Sequence, residues 1–421
     1  MAVRENTASE PLLTADGTPL KVSLERSLRR SKLRATVLVL PPMVFLVILF
    51  VIPIGNLLTR SVDNTLITEA LPRTFTAFEK WDRETLPGEP LFKAMFLDLT
   101  KAEKYQLGKL STRMNYEKPG WKSLIKKSAR KFKKKIKGPP YKKAMIKIDN
   151  RWADVTFWQS LGAVRGAHTF GYFLNAIDRQ YDVNQDVIMR SEERRVYVML
   201  WWRTLALSLI VTVGCLLLAY PVAHILATLP LRYSNLLMIC VLMPFWTSLL
   251  VRIVAWMVML QQNGVVNSTL VWAGILSDDS RLPMMYNFTG TVIVMIQILL
   301  PFMILPIYSV MKTIPPSYMR AAVSLGAKPS LAFMKVYLPQ TLPGVGAGVI
   351  LVFIVAIGYY ITPELVGGKD GQLIGNMVAY HMQKSLNWGL AAAMGVLLLT
   401  AILVLYWVYD RFIGIDNMKM G

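Results

Sequence analysis

The chain has 421 residues, 54% of them hydrophobic and 17% charged, with a mean hydropathy of +0.40 and a formal net charge of +21. A soluble chain carries charge on about a quarter of its residues. Here the apolar surplus is gathered into blocks of about 20 residues or more, the length a bilayer crossing needs, which excludes an ordinary soluble domain. The charge lies outside those blocks, so membrane sidedness and lipid headgroups come before nucleic acid as its explanation.

Residues 1–34 are polar and end in a basic run, Arg26, Arg29, Arg30, Lys32 and Arg34. The apolar block 35–58 follows. It is too long and starts too late for a signal-peptide core, and it reads as a first spanning helix entered from the cytoplasm. Pro41 and Pro42 fall in its first turns, where proline is tolerated. Residues 59–203 then form a long, strongly basic stretch, densest at Lys126, Lys127, Arg130, Lys131, Lys133, Lys134, Lys135 and Lys137. The aromatics Trp121, Trp152, Trp158, Phe170, Tyr172 and Phe173 indicate that part of it folds. Residues 123–137 read as a basic helix ended by Gly138-Pro139-Pro140. The basic run has three readings: a surface for a binding protein, a patch for anionic headgroups, or a solvated face, which is the default.

Further apolar blocks lie at 204–228, 235–261, 286–311, 344–366 and 389–413. The fold class is therefore an all-α membrane protein with six transmembrane helices and both termini cytoplasmic. Loop 312–343 is inside, loops 262–285 and 367–388 are outside, and 59–203 is a large extracytoplasmic insertion. Arg232, Lys312, Arg320, Lys328, Lys335, Arg411 and Lys419 fall inside, while Asp278 and Asp279 near Arg281, and Asp370 beside Lys369, keep the outer loops closer to neutral. That is the positive-inside pattern. Segment 59–203 breaks it, but a domain that long translocates largely regardless of charge. Cys215 and Cys240 sit in apolar blocks and read as core residues. His168, His224 and His381 are isolated and read as packed or solvated.

Within the apolar blocks, Arg252, Gln297 and Glu364 are expensive and mark a substrate pathway. Trp246, Trp256, Tyr359 and Tyr360 are suited to an amine by cation–π contact. Each has a plainer reading: Arg252 bonded to a carbonyl or snorkelling, Glu364 paired with Lys369, the aromatics as interfacial residues. Gly344 and Gly348 form a G-x-x-x-G pair for close helix packing. Asn267-Ser268-Thr269 and Asn287-Phe288-Thr289 match glycosylation acceptors by chance.

Loop 312–343 is the most informative stretch. Pro315 and Pro316 open a short helix, Gly326 ends it in the left-handed conformation, Pro329 opens a second, and Pro339 stops that one. Ala321 and Ala322 let the helix lie close against another surface. A stiff helix–corner–helix between two spans is suited to passing force from a cytoplasmic partner into the bundle. No G-x-x-x-x-G-K-[ST] run occurs, so this chain carries no P-loop signature of its own.

Ala321-Ala322, three residues, Gly326-Ala327, then Phe333, Val336 and Leu338-Pro339 resemble the cytoplasmic coupling motif of binding-protein-dependent ABC importer permeases. Arg320 stands where that family usually has Glu, which leaves open any contact relying on an acidic side chain there. Residues 203–228, the run Pro244-Phe245-Trp246-Thr247-Ser248-Leu249-Leu250-Val251-Arg252, and Ile361-Thr362-Pro363-Glu364-Leu365-Val366-Gly367-Gly368 look like the spermidine/putrescine branch. Residues 59–195 are not accounted for by the likeness.

The resemblance implies a transport subunit and not an enzyme, binding no cofactor itself, with ATP and Mg on a cytoplasmic ABC ATPase dimer. It further implies a second permease subunit of a different chain, a periplasmic solute-binding protein, no nucleic acid, and a place in the bacterial inner membrane. Arg320, Ala321, Ala322, Gly326, Ala327, Phe333, Leu338 and Pro339 would couple to the ATPase, and alternating access would move a small, cationic or amino-containing solute. Two other readings stand beside it. An ion-coupled secondary transporter would need no ATPase and often shows inverted repeats, which this sequence lacks. A membrane-tethered binding protein would work through residues 59–203.

Overall fold

The computed structural model describes residues 20–136 and 138–413. Lys137, Lys419 and the two chain ends, whose cytoplasmic placement was expected, lie outside the described residues. The chain divides into two units at residues 59 and 60.

In the first unit α1 (Leu20–Leu46) continues through a π turn (Val47–Val51) into α2 (Ile52–Arg60). Because α1 starts at Leu20, Pro41 and Pro42 lie in its interior and not in its first turns, a position that membrane helices accept. The π turn lies just before Pro53, and the Ile52 N–H reaches back five residues to the Val47 carbonyl.

The second unit begins with α3 (Thr65–Ala70), α4 (Pro72–Phe78), α5 (Glu89–Lys101), α6 (Lys104–Glu117), α7 (Trp121–Lys135), α8 (Tyr141–Ile148), α9 (Val155–Gln159) and α10 (Gly171–Ala176). A hairpin of β1 (Arg179–Tyr181) and β2 (Val187–Met189) follows, with Gln180 opposite Ile188. Apolar residues at helical spacing drive this fold. On α7 the buried positions are Trp121, Leu124, Ile125, Ser128 and Phe132, one face of a 3.6-residue period. Trp121, Trp152, Trp158, Phe92 and Phe132 are fully buried, with the Trp152 and Trp158 rings 5.2 Å apart. Each buried indole N–H is satisfied: Trp121 donates to Ser160 Oγ (2.8 Å), Trp152 to Ser128 Oγ (3.0 Å) and Trp158 to the Trp152 carbonyl (3.0 Å).

The apolar bundle comprises α11 (Tyr197–Thr228), α12 (Leu231–Leu242), α13 (Leu249–Met259), α14 (Val265–Trp272), α15 (Phe288–Thr313), α16 (Pro316–Ser324), α17 (Pro329–Ala332), α18 (Leu338–Ile357), α19 (Ile361–Val366), α20 (Ile374–Gln383) and α21 (Trp388–Ile413). At its centre α11, α15 and α18 pack together. On α11, Leu207, Val211, Cys215, Ala219 and Ala223 form a fully buried stripe four residues apart. The G-x-x-x-G pair faces α15: a Cβ on Gly344 would stand 2.9 Å from the Pro306 carbonyl oxygen, and one on Gly348 would stand 2.7 Å from Met303 Sδ. The two backbones therefore approach to a distance only glycine permits.

Several expectations are corrected. Among the described residues five helices are long and apolar enough to cross a membrane, or six, the number expected, if a bent pair counts as one span; that pair, Leu231–Trp246 and Leu249–Met259, lies where the straight span 235–261 was expected and is bent by 98°. Thr247 and Ser248 are extended (ψ 144° and 141°), which breaks the hydrogen-bond ladder just after Pro244. The expected span 344–366 ends at Ile357, and Glu364 lies on the separate helix α19. Pro339 does not stop its helix: a π turn at Phe333–Tyr337 carries α17 into α18, with the Leu338 N–H bonded five residues back to Phe333, and the apolar helix runs from Pro329 to Ile357. Cys240 is exposed and not a core residue. Asn267 is buried and bonded to Gln261 and Leu282, and Asn287 caps α15 by accepting from Gly290 N–H, so both asparagines serve the backbone.

Segment 60–196 meets the bundle at one end. The Tyr116 hydroxyl donates to the Ser385 carbonyl, and Tyr172 and Ala176 pack with Leu390, Ala393 and Met394; beside them, within the bundle, the Tyr197 hydroxyl and His381 Nε2 are 2.9 Å apart. Arg113, ion-paired with Glu117, donates from Nε to the Tyr172 hydroxyl (2.8 Å). Burial in that crevice holds His381 down to about 4, so it is neutral near pH 7.

One carboxylate fastens α7 to the turn after α8. Asp149 accepts from Lys127 Nζ (2.7 Å) and, through both oxygens, from Arg151 Nε and Nη2 (2.9 Å each). These bonds, Arg151 first, hold its carboxyl well below the usual carboxylate range. A depressed acid stabilises the fold above its ordinary value, and that contribution is lost as pH falls toward the depressed one. Asp149→Asn is expected to cost about 2 kcal/mol at pH 7. The gap between variant and parent should close as pH drops below about 4, as read by thermal unfolding of the purified chain in detergent.

Candidate functional site

The end of the bundle opposite segment 60–196 carries the helix–corner–helix. Pro315 and Pro316 open α16, and Gly326 closes it at φ +92°. The closing bonds are those of a Schellman cap: Gly326 N–H to the Val323 carbonyl (2.9 Å) and Ala327 N–H to the Ala322 carbonyl (3.1 Å). A Cβ on Gly326 would touch nothing within 4 Å, so glycine is required there by backbone conformation and not by space. Pro329 opens α17 as expected.

The corner is clasped to the bundle by aromatic contacts. Phe333 and Tyr337 stack at 5.4 Å, and His224 on α11 stands edge-on to both, at 5.5 and 5.2 Å. His224 Nδ1 and the Tyr337 hydroxyl are 3.3 Å apart, and Lys312 Nζ donates to the Ala227 carbonyl (3.4 Å). Sequence reasoning left His224 isolated and gave Tyr337 no role, because the contact spans 113 residues. The outward side of the corner is apolar: Leu325 is 89% exposed, and Tyr318, Val323, Leu331 and Met334 are exposed beside it. Arg320 and Ala321 are exposed, while Ala322 and Ala327 are half-buried.

At the other end the expected pathway residues fall into separate groups. Trp256 Nε1 donates to Gln297 Oε1 (3.1 Å), joining α13 to α15. Arg252 lies beside Tyr359, and its Nε and Nη1 are buried without a hydrogen-bond partner among the described residues. Tyr360 and Glu364 are exposed, and both are tied to Asn376 on α20, whose Nδ2 donates to the Tyr360 carbonyl and to Glu364 Oε2 (2.9 Å each). Glu364 thus bonds to Asn376, and no ion pair with Lys369 occurs among the described residues. Asn376 had no signal in the sequence, since nothing local distinguishes a buried capping asparagine. Trp246 stands apart from these groups, 73% exposed before the bend of α12 and α13.

The bundle of apolar spanning helices, with a capped corner that carries exposed apolar side chains between α15 and α18, defines a membrane-embedded protein. A family model described as binding-protein-dependent transport system inner membrane component matches residues 219–413. The spermidine/putrescine transport system permease protein PotB of Haemophilus influenzae is 35% identical over 225 residues, covering 53% of this chain and 78% of that protein. PotB of Escherichia coli K12 is 34% identical over 214 residues, covering 50% and 77%. The inner membrane ABC transporter permease protein YdcU of the same strain is 35% identical over 227 residues, covering 50% and 70%. The chain belongs to the family of inner-membrane components of binding-protein-dependent transport systems, and is a permease of the ABC importer type.

The corner gives a graded test. Gly326→Ala should cost only the left-handed backbone penalty, about 1 kcal/mol, and reduce uptake moderately. Gly326→Asn should retain more, because asparagine tolerates that conformation. Gly326→Pro removes the N–H bonded to Val323 and cannot reach positive φ, so uptake should be lost while the chain still inserts. Uptake into cells or proteoliposomes, normalised to membrane-inserted chain, ranks the three.

Proposed function

We propose that this permease moves small amino-containing, polyamine-like cations, and that a separate cytoplasmic ATPase dimer drives it through the corner at Gly326. The observation that carries the reading is that corner: a capped, stiff turn with Leu325 exposed at its tip, fastened by Phe333 and Tyr337 to His224. A bare leucine at the tip of a rigid turn suits a groove on a partner, where burying it contributes about 2 kcal/mol. The basic residues around it, Lys312, Arg320, Lys328 and Lys335, support a cytoplasmic position. On that reading both termini are cytoplasmic. Residues 1–34 are then a cytoplasmic tail, 35–58 the first span, 59–203 a periplasmic insertion, and 204–421 the permease core with coupling loop 312–343.

The solute assignment is supported by the PotB relatives and by Glu364, an exposed carboxylate held by Asn376 near Tyr359 and Tyr360. A periplasmic binding protein would deliver solute at this end, and a second permease chain would complete the pathway. ATP binding would close the ATPase pair, push the corner, and open the tyrosine end outward; hydrolysis would reverse it.

Leu325→Asp should reduce ATP-driven uptake at least tenfold with normal membrane insertion, since about 2 kcal/mol of docking is lost and a charge is placed in the groove. A cysteine at position 325 should react with a membrane-impermeant maleimide from the cytoplasmic face only; reaction from the periplasmic face sinks the assignment. Separately, Glu364→Gln should raise the half-saturating concentration of a polyamine about fivefold, as expected for one ammonium–carboxylate contact near 1 kcal/mol, without changing membrane insertion.

A further inference from the structure

We propose that the basic face of α7 is a docking surface for the phosphate groups of anionic phospholipids. Eight of the 15 residues of α7 are lysine or arginine, and none is acidic. With Trp121, Leu124, Ile125, Ser128 and Phe132 turned inward, Lys122, Lys126, Arg130, Lys133 and Lys134 all lie exposed on the outward side. None of these five has an ion-pair partner among the described residues, whereas Lys127, at the edge of the face, is bonded to Asp149. Lys122, Lys126, Arg130 and Lys134 follow one another at four-residue spacing. Like charges at that spacing oppose helix formation, so a face serving only solubility would be expected to mix signs. Lys143 and Lys147 on α8 extend the exposed basic surface.

Two observations choose lipid over an acidic protein. Protein interfaces are anchored by aromatic and aliphatic side chains and are poor in lysine. Between Tyr105 and Phe170 no large hydrophobic residue is exposed among the described residues, so the face has charge and no anchor. The segment that carries this face is joined to apolar helices at both of its ends: α3 starts five residues after Arg60, and the next apolar helix starts at Tyr197. A cluster of four to eight basic residues that comes within a Debye length of anionic headgroups is attracted to them without needing shape complementarity. The inference holds for either leaflet and does not depend on the solute.

The test uses the full chain in nanodiscs of phosphatidylcholine alone, or with about one third phosphatidylglycerol, with amine-reactive labelling read by mass spectrometry. Lys122, Lys126, Lys133 and Lys134 should label severalfold more slowly in the anionic discs, and high salt should abolish the difference. Lys101 and Lys104, exposed on the same segment, serve as the reference and should change little. The combined variant K122Q/K126Q/R130Q/K134Q should lose the rise in unfolding temperature that the anionic discs confer on the parent. Equal labelling in both lipids, equal slowing of the reference lysines, or protection that appears only on adding an acidic binding protein would each overturn the proposal.

Discussion

The structure depends on how closely α15 and α18 approach. A transport subunit must keep its backbone hydrogen bonds inside each helix while in lipid, so movement has to come from helices shifting as units. The corner at Gly326 is the direct connection between α15 and α18, and those two helices touch backbone to side chain where Gly344 meets Pro306 and Gly348 meets Met303. That close approach leaves no side-chain layer between the two helices at those positions. Because α11 packs on both, and holds the corner through His224, the three central helices and the turn form one mechanical body.

What the sequence discloses follows from how far apart the interacting residues are. The corner was legible because its determinants are local: proline at the first turn, glycine at the left-handed position and a second proline three residues later act within one stretch of chain. The G-x-x-x-G pair was legible for the same reason. Pro339 was misread because a proline can end a helix or be bridged by a π turn, and the choice rests on the packing of Phe333 and Tyr337 against a helix more than a hundred residues away. The bend between α12 and α13 was hidden by hydropathy, which stays high through Pro244-Phe245-Trp246 while the backbone turns. Asn376 and His224 belong to sites assembled from distant segments, and neither carries a spacing signature.

Segment 60–196 presents the opposite balance. Its length and charge gave no architecture, but its tryptophans did signal a core, and the folded segment is built around three of them with every indole N–H bonded. Its junction with the bundle is polar as well as apolar: the Tyr116 hydroxyl donates to the Ser385 carbonyl, and the Tyr197 N–H donates to Asp178 Oδ1 (3.1 Å), beside the packing of α10 on α21. Satisfied polar contacts of this kind specify one arrangement more sharply than apolar packing alone. The segment is thus fixed to the end of the bundle that holds Glu364.

The same helix serves both ends. From Pro329 to Ile357 the apolar helix runs 29 residues, about 43 Å at 1.5 Å per residue. The corner and its aromatic clasp are at the start, and Tyr359, Tyr360 and Glu364 follow immediately after its end at Gly358. After the break at Gly358, Tyr359 stays half-buried against the bundle, while Tyr360 and Glu364 are exposed. An uninterrupted helix through 366 would have carried Glu364 about 9 Å further along the rod axis. The break puts it instead on a short separate helix under the control of Asn376, where it is exposed and positioned by the same element that receives the segment 60–196 junction.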